Sequence, residues 1–203
     1  MRRRFIIIPV LLIGIGAVGL ELSRPLVGNA SVPANQVNST WSSGSLNMAD
    51  ANREMESSLS AAKVSKATNI ITYSGDSVKI VAFGGAMDNN GSGPKEKFVI
   101  GNLVNPTIHI QKGAQVTLEL VNQDTDMPHG MEISTAQPPY GFMTMMQGGI
   151  YPGAFIQPIP SAHHGEFLEA TTTFKANEQG TFYYLCEYPG HASEGMYGKI
   201  IID

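Results

Sequence analysis

From Ile70 onward the hydrophobic positions recur at every second residue in short runs. These are Ile70–Tyr73, Val78–Phe83, Lys97–Ile100, Thr107–Ile110, Gln115–Val121, Gly130–Ser134, Thr171–Lys175, Gly180–Cys186 and Lys199–Ile202. Alternation with period two sets one side of a run against a core and the other toward water, so each run predicts a β-strand. Ser74-Gly75-Asp76, Asn89-Asn90-Gly91, Lys112-Gly113 and Asn177 to Gly180 punctuate them with residues that favour turns. Many short strands separated in this way predict an all-β sandwich. Upstream the period changes. Met48, Met55, Leu59 and Ala62 fall on one face at helical spacing, behind Asn47 as a capping residue and Asp50 three positions later. This predicts a helix over about 47–63 that packs on one face or end of the sandwich.

The segments outside this pattern divide the rest of the chain. Residues 23–46 are rich in Ser, Asn, Gly and Pro and read as a linker. The connections Gly84–Glu96 and Thr135–Ala170 are long for a β domain, and long loops on such a scaffold often carry function. At the start, Arg2-Arg3-Arg4 precedes the apolar stretch Phe5–Leu20. Positive charge before a hydrophobic segment is the layout of an export signal, with small residues for cleavage near Gly28-Asn29-Ala30, or of an uncleaved anchor. The expected organisation is an export or anchor segment over 1–22, a linker over 23–46 and one folded domain over 47–203. That domain is expected outside the cytoplasm, in the periplasm or on the outer face of the membrane, with possible attachment through residues 5–20.

Composition narrows the class. Of 203 residues, 42% are hydrophobic and only 15% charged, and 22 glycines and 12 prolines suit a turn-rich β architecture. The net charge of −4 comes with no basic stripe, which argues against a nucleic-acid partner. The single cysteine, Cys186, is unusual in an exported domain, where cysteines normally come in pairs.

The segment Cys186-Glu-Tyr-Pro-Gly-His191-Ala-Ser-Glu-Gly-Met196 supplies a reason. Cys, His and Met stand five residues apart on a loop that a strand enters and another leaves. Pro189-Gly190 and Gly195 let the loop fold back, so a thiolate, an imidazole and a thioether can aim at one point. Thiolate and thioether favour copper, imidazole suits both of its oxidation states, and two His, one Cys and a weak axial Met form the blue-copper donor set. The second imidazole must come from elsewhere. His129 is the best placed, after the strand Gln115–Val121 and directly before the run Gly130–Ser134. His109, between Ile108 and Ile110, reads as a surface residue. His163 and His164 in the long loop do too. Taken one at a time, a lone buried Cys is usually an inert small hydrophobe and a Met beside a strand is usually core; the joint spacing outweighs those readings.

These residues resemble the cupredoxins, and within them the acid-stable blue copper proteins of iron-oxidising acidophiles, with a related archaeal branch as neighbour. Beyond the ligand loop, Thr40-Trp41 with the helix and Ile71 to Gly75, Asn105-Pro106-Thr107, Ile110 to Ala114, and Pro138-Pro139-Tyr140 look similar. The resemblance covers roughly residues 40–203. It implies a Greek-key cupredoxin sandwich with an N-terminal helical extension. It also implies one copper ion, cycling between Cu(I) and Cu(II), with His129, Cys186, His191 and Met196 as ligands. One departure stands out. Cupredoxins often carry Asn or Ser after the first His, bonded across to the Cys loop, where this chain has Gly130; Asp124 is a candidate substitute.

The function implied is single-electron shuttling between respiratory partners, not enzymatic turnover, in the iron or sulfur oxidation chain of an acidophile. Phe182 and Tyr184 share the pleat face of Cys186 and should wall the site dry, with Tyr140, Phe142 and Tyr197 contributing. A dry site disfavours the more highly charged Cu(II) and predicts a high potential. The resemblance gives His191 an edge near solvent, inside an apolar patch to which Met127, Met131, Met143, Met145 and Met146 contribute. A cytochrome c or a terminal oxidase subunit is the expected partner there, and the protein is expected to be a monomer. The alternative is an extracytoplasmic copper carrier. A multicopper enzyme would need a second such domain and His-x-His pairs, which the chain lacks.

Overall fold

The period-two runs assemble into two sheets. The computed structural model describes residues 44–85, 96–144 and 149–203. The export or anchor segment, most of the linker, Trp41, Met145 and Met146 lie outside the described residues. In chain order the elements are β1 (Gly44–Leu46), α1 (Met48–Ser58), β2 (Ala62–Ser65), β3 (Ile70–Tyr73), β4 (Ser77–Gly84), β5 (Phe98–Ile100) and β6 (Leu103–Val104). There follow β7 (Thr107–Ile110), β8 (Gln115–Asn122), β9 (His129–Ser134), β10 (Phe155–Ile159), β11 (Phe167–Lys175), β12 (Gly180–Leu185) and β13 (Tyr197–Ile202). One sheet runs β1-β11-β8-β4-β5-β6 and the other β10-β9-β12-β13-β7-β3-β2. Their inner faces meet over a core that includes Ile80, Ile108, Leu118, Ile133, Phe174 and Ile200. Among the described residues the fold is a two-sheet β-sandwich with one small helix.

The helix is capped as expected, the Asn47 side chain accepting from the Asp50 N–H at 3.0 Å. It is shorter than expected. Leu59 N–H turns back to Glu56 O at 3.1 Å, and Ala62 already belongs to a strand paired with β3. Ala51 and Met55 press on a second cluster with Val81, Phe83, Val121 and Phe167. β4 is therefore buried on both faces: Ile80 and Ala82 look into the sandwich, Val81 and Phe83 look up at α1. The end of the expected linker also departs from expectation, since β1 pairs with β11.

Sheet order positions the site. β12 lies between β9 and β13, with Leu185 opposite Glu132 on one side and Tyr197 on the other. The residue that opens β9, the one that follows β12 and the one that precedes β13 therefore meet at one end of three adjacent strands. They are His129, Cys186 and Met196.

Candidate metal centre

The loop between β12 and β13 is held by its own backbone. His191 N–H donates to Tyr188 O at 3.1 Å, Met196 N–H to His191 O at 2.8 Å, and Cys186 N–H to Met196 O at 3.0 Å. Gly190 and Gly195 sit at φ +90° and +99°, the left-handed region that side chains avoid, so the reversal needs glycine at both. Cys186, His191 and Met196 are all buried.

His129 completes the group. Its Nδ1 lies 3.1 Å from His191 Nδ1 and 3.9 Å from Cys186 Sγ, while His191 Nδ1 lies 3.5 Å from the same sulfur. A circle through these atoms has a radius of about 2 Å, the length of a transition-metal bond to imidazole nitrogen or thiolate. A trigonal metal ion fits between them without rearrangement. Among the described residues this is the one cluster of at least three His, Cys or carboxylate donors within bonding range of a common centre. His109 stands apart, its Nδ1 3.5 Å from Asp203, and His163 and His164 are exposed.

The surroundings prepare each donor. Asp124 Oδ2 lies 3.2 Å from His129 Nε2. A carboxylate only accepts, so Nε2 carries the hydrogen and Nδ1 presents its lone pair to the centre. Asp124 is itself fixed, its Oδ1 accepting from Asp126 N–H at 2.8 Å and Met127 N–H at 3.1 Å. Burial opposes its charge, yet these bonds and the His129 ring hold its carboxyl below the usual range. Burial lowers His129 to about 4, with Asp124 acting in opposition, so the imidazole is neutral and available well into acid. His191 is lowered too, again chiefly by burial. Burial pushes the Cys186 thiol up to about 12, against N–H donation from Gly130 and Tyr188. A cation at the centre supplies what the thiolate otherwise lacks.

The bond expected of an Asn or Ser after the first His is divided here. The backbone N–H of Gly130 reaches the sulfur, while Asp124 fixes His129 within its own loop and does not bridge to the Cys loop. Gly130 is small for a reason of space. A Cβ there would lie 2.8 Å from Glu187 Oε1, 2.8 Å from Ile156 O and 2.9 Å from Pro158 N. Glu187 occupies that gap, buried beside Glu132, and burial followed by the Glu132 charge raises it to about 8. Nothing in the pattern reading pointed to these two acids; a Glu directly after a buried Cys was the available signal.

Two expectations change. Met131 is 1% exposed and part of the core, because it points inward from β9, so it does not belong to a surface patch. His191 is 3% exposed, and its Nε2 is buried without a hydrogen-bond partner. The Tyr188 ring, 4.7 Å from the imidazole between centroids, helps to cover it. Phe142 joins the loop one residue earlier, its carbonyl accepting from Gly190 N–H at 2.8 Å. Phe182 and Tyr184 do share the buried side with Cys186 and Met196.

Residues 102–203 match the family of copper binding proteins of the plastocyanin/azurin type. The chain belongs to this family, the cupredoxins, and copper is its cofactor. Within the family it is rusticyanin-like. It is 34% identical over 176 residues to rusticyanin of Acidithiobacillus ferridurans, covering 87% of each chain. A solved structure of rusticyanin from Thiobacillus ferrooxidans superposes with a TM-score of 0.69 at 29% identity, covering 82% of this chain and 99% of the other. A copper-containing nitrite reductase of Alcaligenes xylosoxydans is also similar, at 28% over 120 residues, but the match spans only 32% of that protein. Family and relatives together make this a blue copper electron-transfer protein.

Proposed function

We propose that the chain would hold one copper ion through His129 Nδ1, Cys186 Sγ and His191 Nδ1, with Met196 as a weaker fourth donor, and passes single electrons between respiratory partners. The observation that supports this best is the triangle of donor atoms, whose 3.1, 3.5 and 3.9 Å edges already suit a trigonal ion. Copper supplies one-electron cycling between Cu(II) and Cu(I). The residues do the rest. Asp124 keeps His129 in the tautomer that faces the centre. Gly130 and Tyr188 donate N–H groups to the sulfur and draw off part of its charge. Phe182, Tyr184 and the buried thioether of Met196 exclude water, which disfavours the doubly charged ion and favours a high potential.

Electrons leave by way of the His191 loop. Phe142 is 67% exposed and Met143 57%, and Phe142 is joined to Gly190 next to the imidazole. Exposed apolar groups over a buried site mark a docking surface. A cytochrome c or a terminal oxidase subunit is the partner we assign to it, in an iron or sulfur oxidation chain outside the cytoplasm. Export or anchoring would be directed by residues 1–22. Among the described residues no helix is long and apolar enough to cross a membrane.

One spectrum tests the site. The copper-loaded protein should absorb intensely near about 600 nm, where thiolate-to-copper charge transfer falls in blue sites. His129→Ala should abolish that band while leaving the fold intact by circular dichroism. A colourless wild-type protein, or a blue His129→Ala variant, would overturn the assignment.

A further inference from the structure

We propose that Asn105, assisted by Lys97, is a positioning residue for Met196, fixing from outside the ligand loop the height at which the thioether faces the metal. The proposal rests on the copper reading above. Asn105 lies in the turn between β6 and β7 and is locked to β5 at two points. Its N–H donates to Phe98 O at 2.8 Å, and its Oδ1 accepts from Phe98 N–H at 2.9 Å. Its φ of +45° is left-handed, a conformation Asn tolerates better than most residues. The next residue is held as well. The hydroxyl of buried Tyr184 donates to Pro106 O at 2.6 Å, and its ring meets Phe98 edge-on with centroids 5.6 Å apart.

With its other polar atoms engaged, Asn105 directs Nδ2 across the gap to Gly195 O at 2.7 Å. Lys97 Nζ donates to the preceding carbonyl, Glu194 O, also at 2.7 Å. The two carbonyls just before Met196 are thus held by the β5–β7 frame. On the loop side Met196 N–H donates to His191 O and its carbonyl accepts from Cys186 N–H. Backbone is therefore fixed on both flanks of Met196. A thioether is too weak a donor to set its own position; the frame sets it, and the thioether's approach to a bound copper would be one of the settings of the potential.

The test uses the full chain with three substitutions. Asn105→Gly removes both side-chain bonds without straining φ. Lys97→Met removes the bond to Glu194. Asn69→Gly is the control, a left-handed Asn (φ +54°) on a neighbouring turn whose side chain bonds Val104 at 3.0 Å. In copper-free protein the Met196 amide should exchange about fivefold faster in Asn105→Gly, the equivalent of one net hydrogen bond, and at an unchanged rate in the control. In copper-loaded protein Asn105→Gly should shift the reduction potential, alter the ratio of the visible bands and broaden the Cu(II) magnetic-resonance lines. Lys97→Met should do so less, in the same direction. It keeps the question open to test if Asn105→Gly fails to fold. An unchanged potential and band ratio, unchanged exchange, or an equal response in Asn69→Gly would each overturn the proposal. A wild-type chain with no blue band would refute the copper reading instead, and amide exchange would then decide alone whether Asn105 fixes the loop.

Discussion

Gly130→Ala isolates a single methyl group at the point where the His129 strand meets the Cys186 loop. The added Cβ would stand 2.8 Å from Glu187 Oε1, 2.8 Å from Ile156 O and 2.9 Å from Pro158 N. Contacts between such atoms normally lie beyond about 3.4 Å, and two of these three belong to the backbone of β10, which cannot turn aside as a side chain can. Relief must come from moving β9 away from β10. Overpacking of this kind costs about 1–3 kcal/mol. For a domain of this size the thermal midpoint should fall by about 2–4 °C for each kcal/mol. The same movement lengthens the approach of Gly130 N–H to the sulfur, so the charge-transfer band should shift as well. Urea unfolding of copper-free protein measures the first effect and a visible spectrum the second. Glu187→Ala in the same background removes one of the three contacts and should restore part of the stability, since the two backbone contacts remain. A loss below about 0.5 kcal/mol, within the range of neutral surface changes, would refute the argument from space.

Tyr184→Phe leaves Pro106 O without its buried donor and should cost about 1–3 kcal/mol in urea unfolding; a neutral result would mean that water replaces the hydroxyl. Glu169, beside Glu119 and Glu54 on the face that carries β1 and α1, has its pKa raised by burial and then by the Glu119 charge and hydrogen bond, with Lys79 opposing. A carboxyl raised in the fold stabilises fully below its ordinary value, and that contribution is lost as pH climbs through the raised one. Wild-type stability should therefore decline as pH rises above the ordinary carboxyl range, and Glu169→Gln should flatten the slope; parallel profiles would count against it. Met143→Lys should slow electron exchange with a cytochrome c in stopped-flow mixing while the blue band stays unchanged, and equal rates would remove Met143 from the docking surface.

The strands that alternation revealed are the interior ones. Those it missed, β1, β2, β6 and β10, are the four sheet edges. An edge strand has one partner and often one wet face, so its hydrophobic signal is short. β10 even carries Pro158, which an edge admits and an interior strand does not. The ligand loop was legible because its chemistry is local, three donors on one reversal. His129 was legible only through its place at a strand end, and the β9–β12–β13 order sets it beside the Cys186 loop. Asn105, Glu132 and Glu187 were hidden because their roles depend on neighbours far away in sequence. The covering of His191 by Tyr188 depends in the same way on a loop whose path no periodicity records.

The donor triangle also bears on how the protein is filled. Its corners are held by bonds within the protein, Asp124 to the His129 ring and the backbone bonds that close the loop from Cys186 to Met196, so the folding energy of the sandwich meets the expense of assembling the site. A rigid socket of this kind gains affinity for every ion that accepts trigonal N₂S donors, zinc included. It cannot reject a competitor by reshaping. Discrimination then rests on the intrinsic ranking of the metals, in which copper stands highest, and on which ion reaches the newly folded chain first.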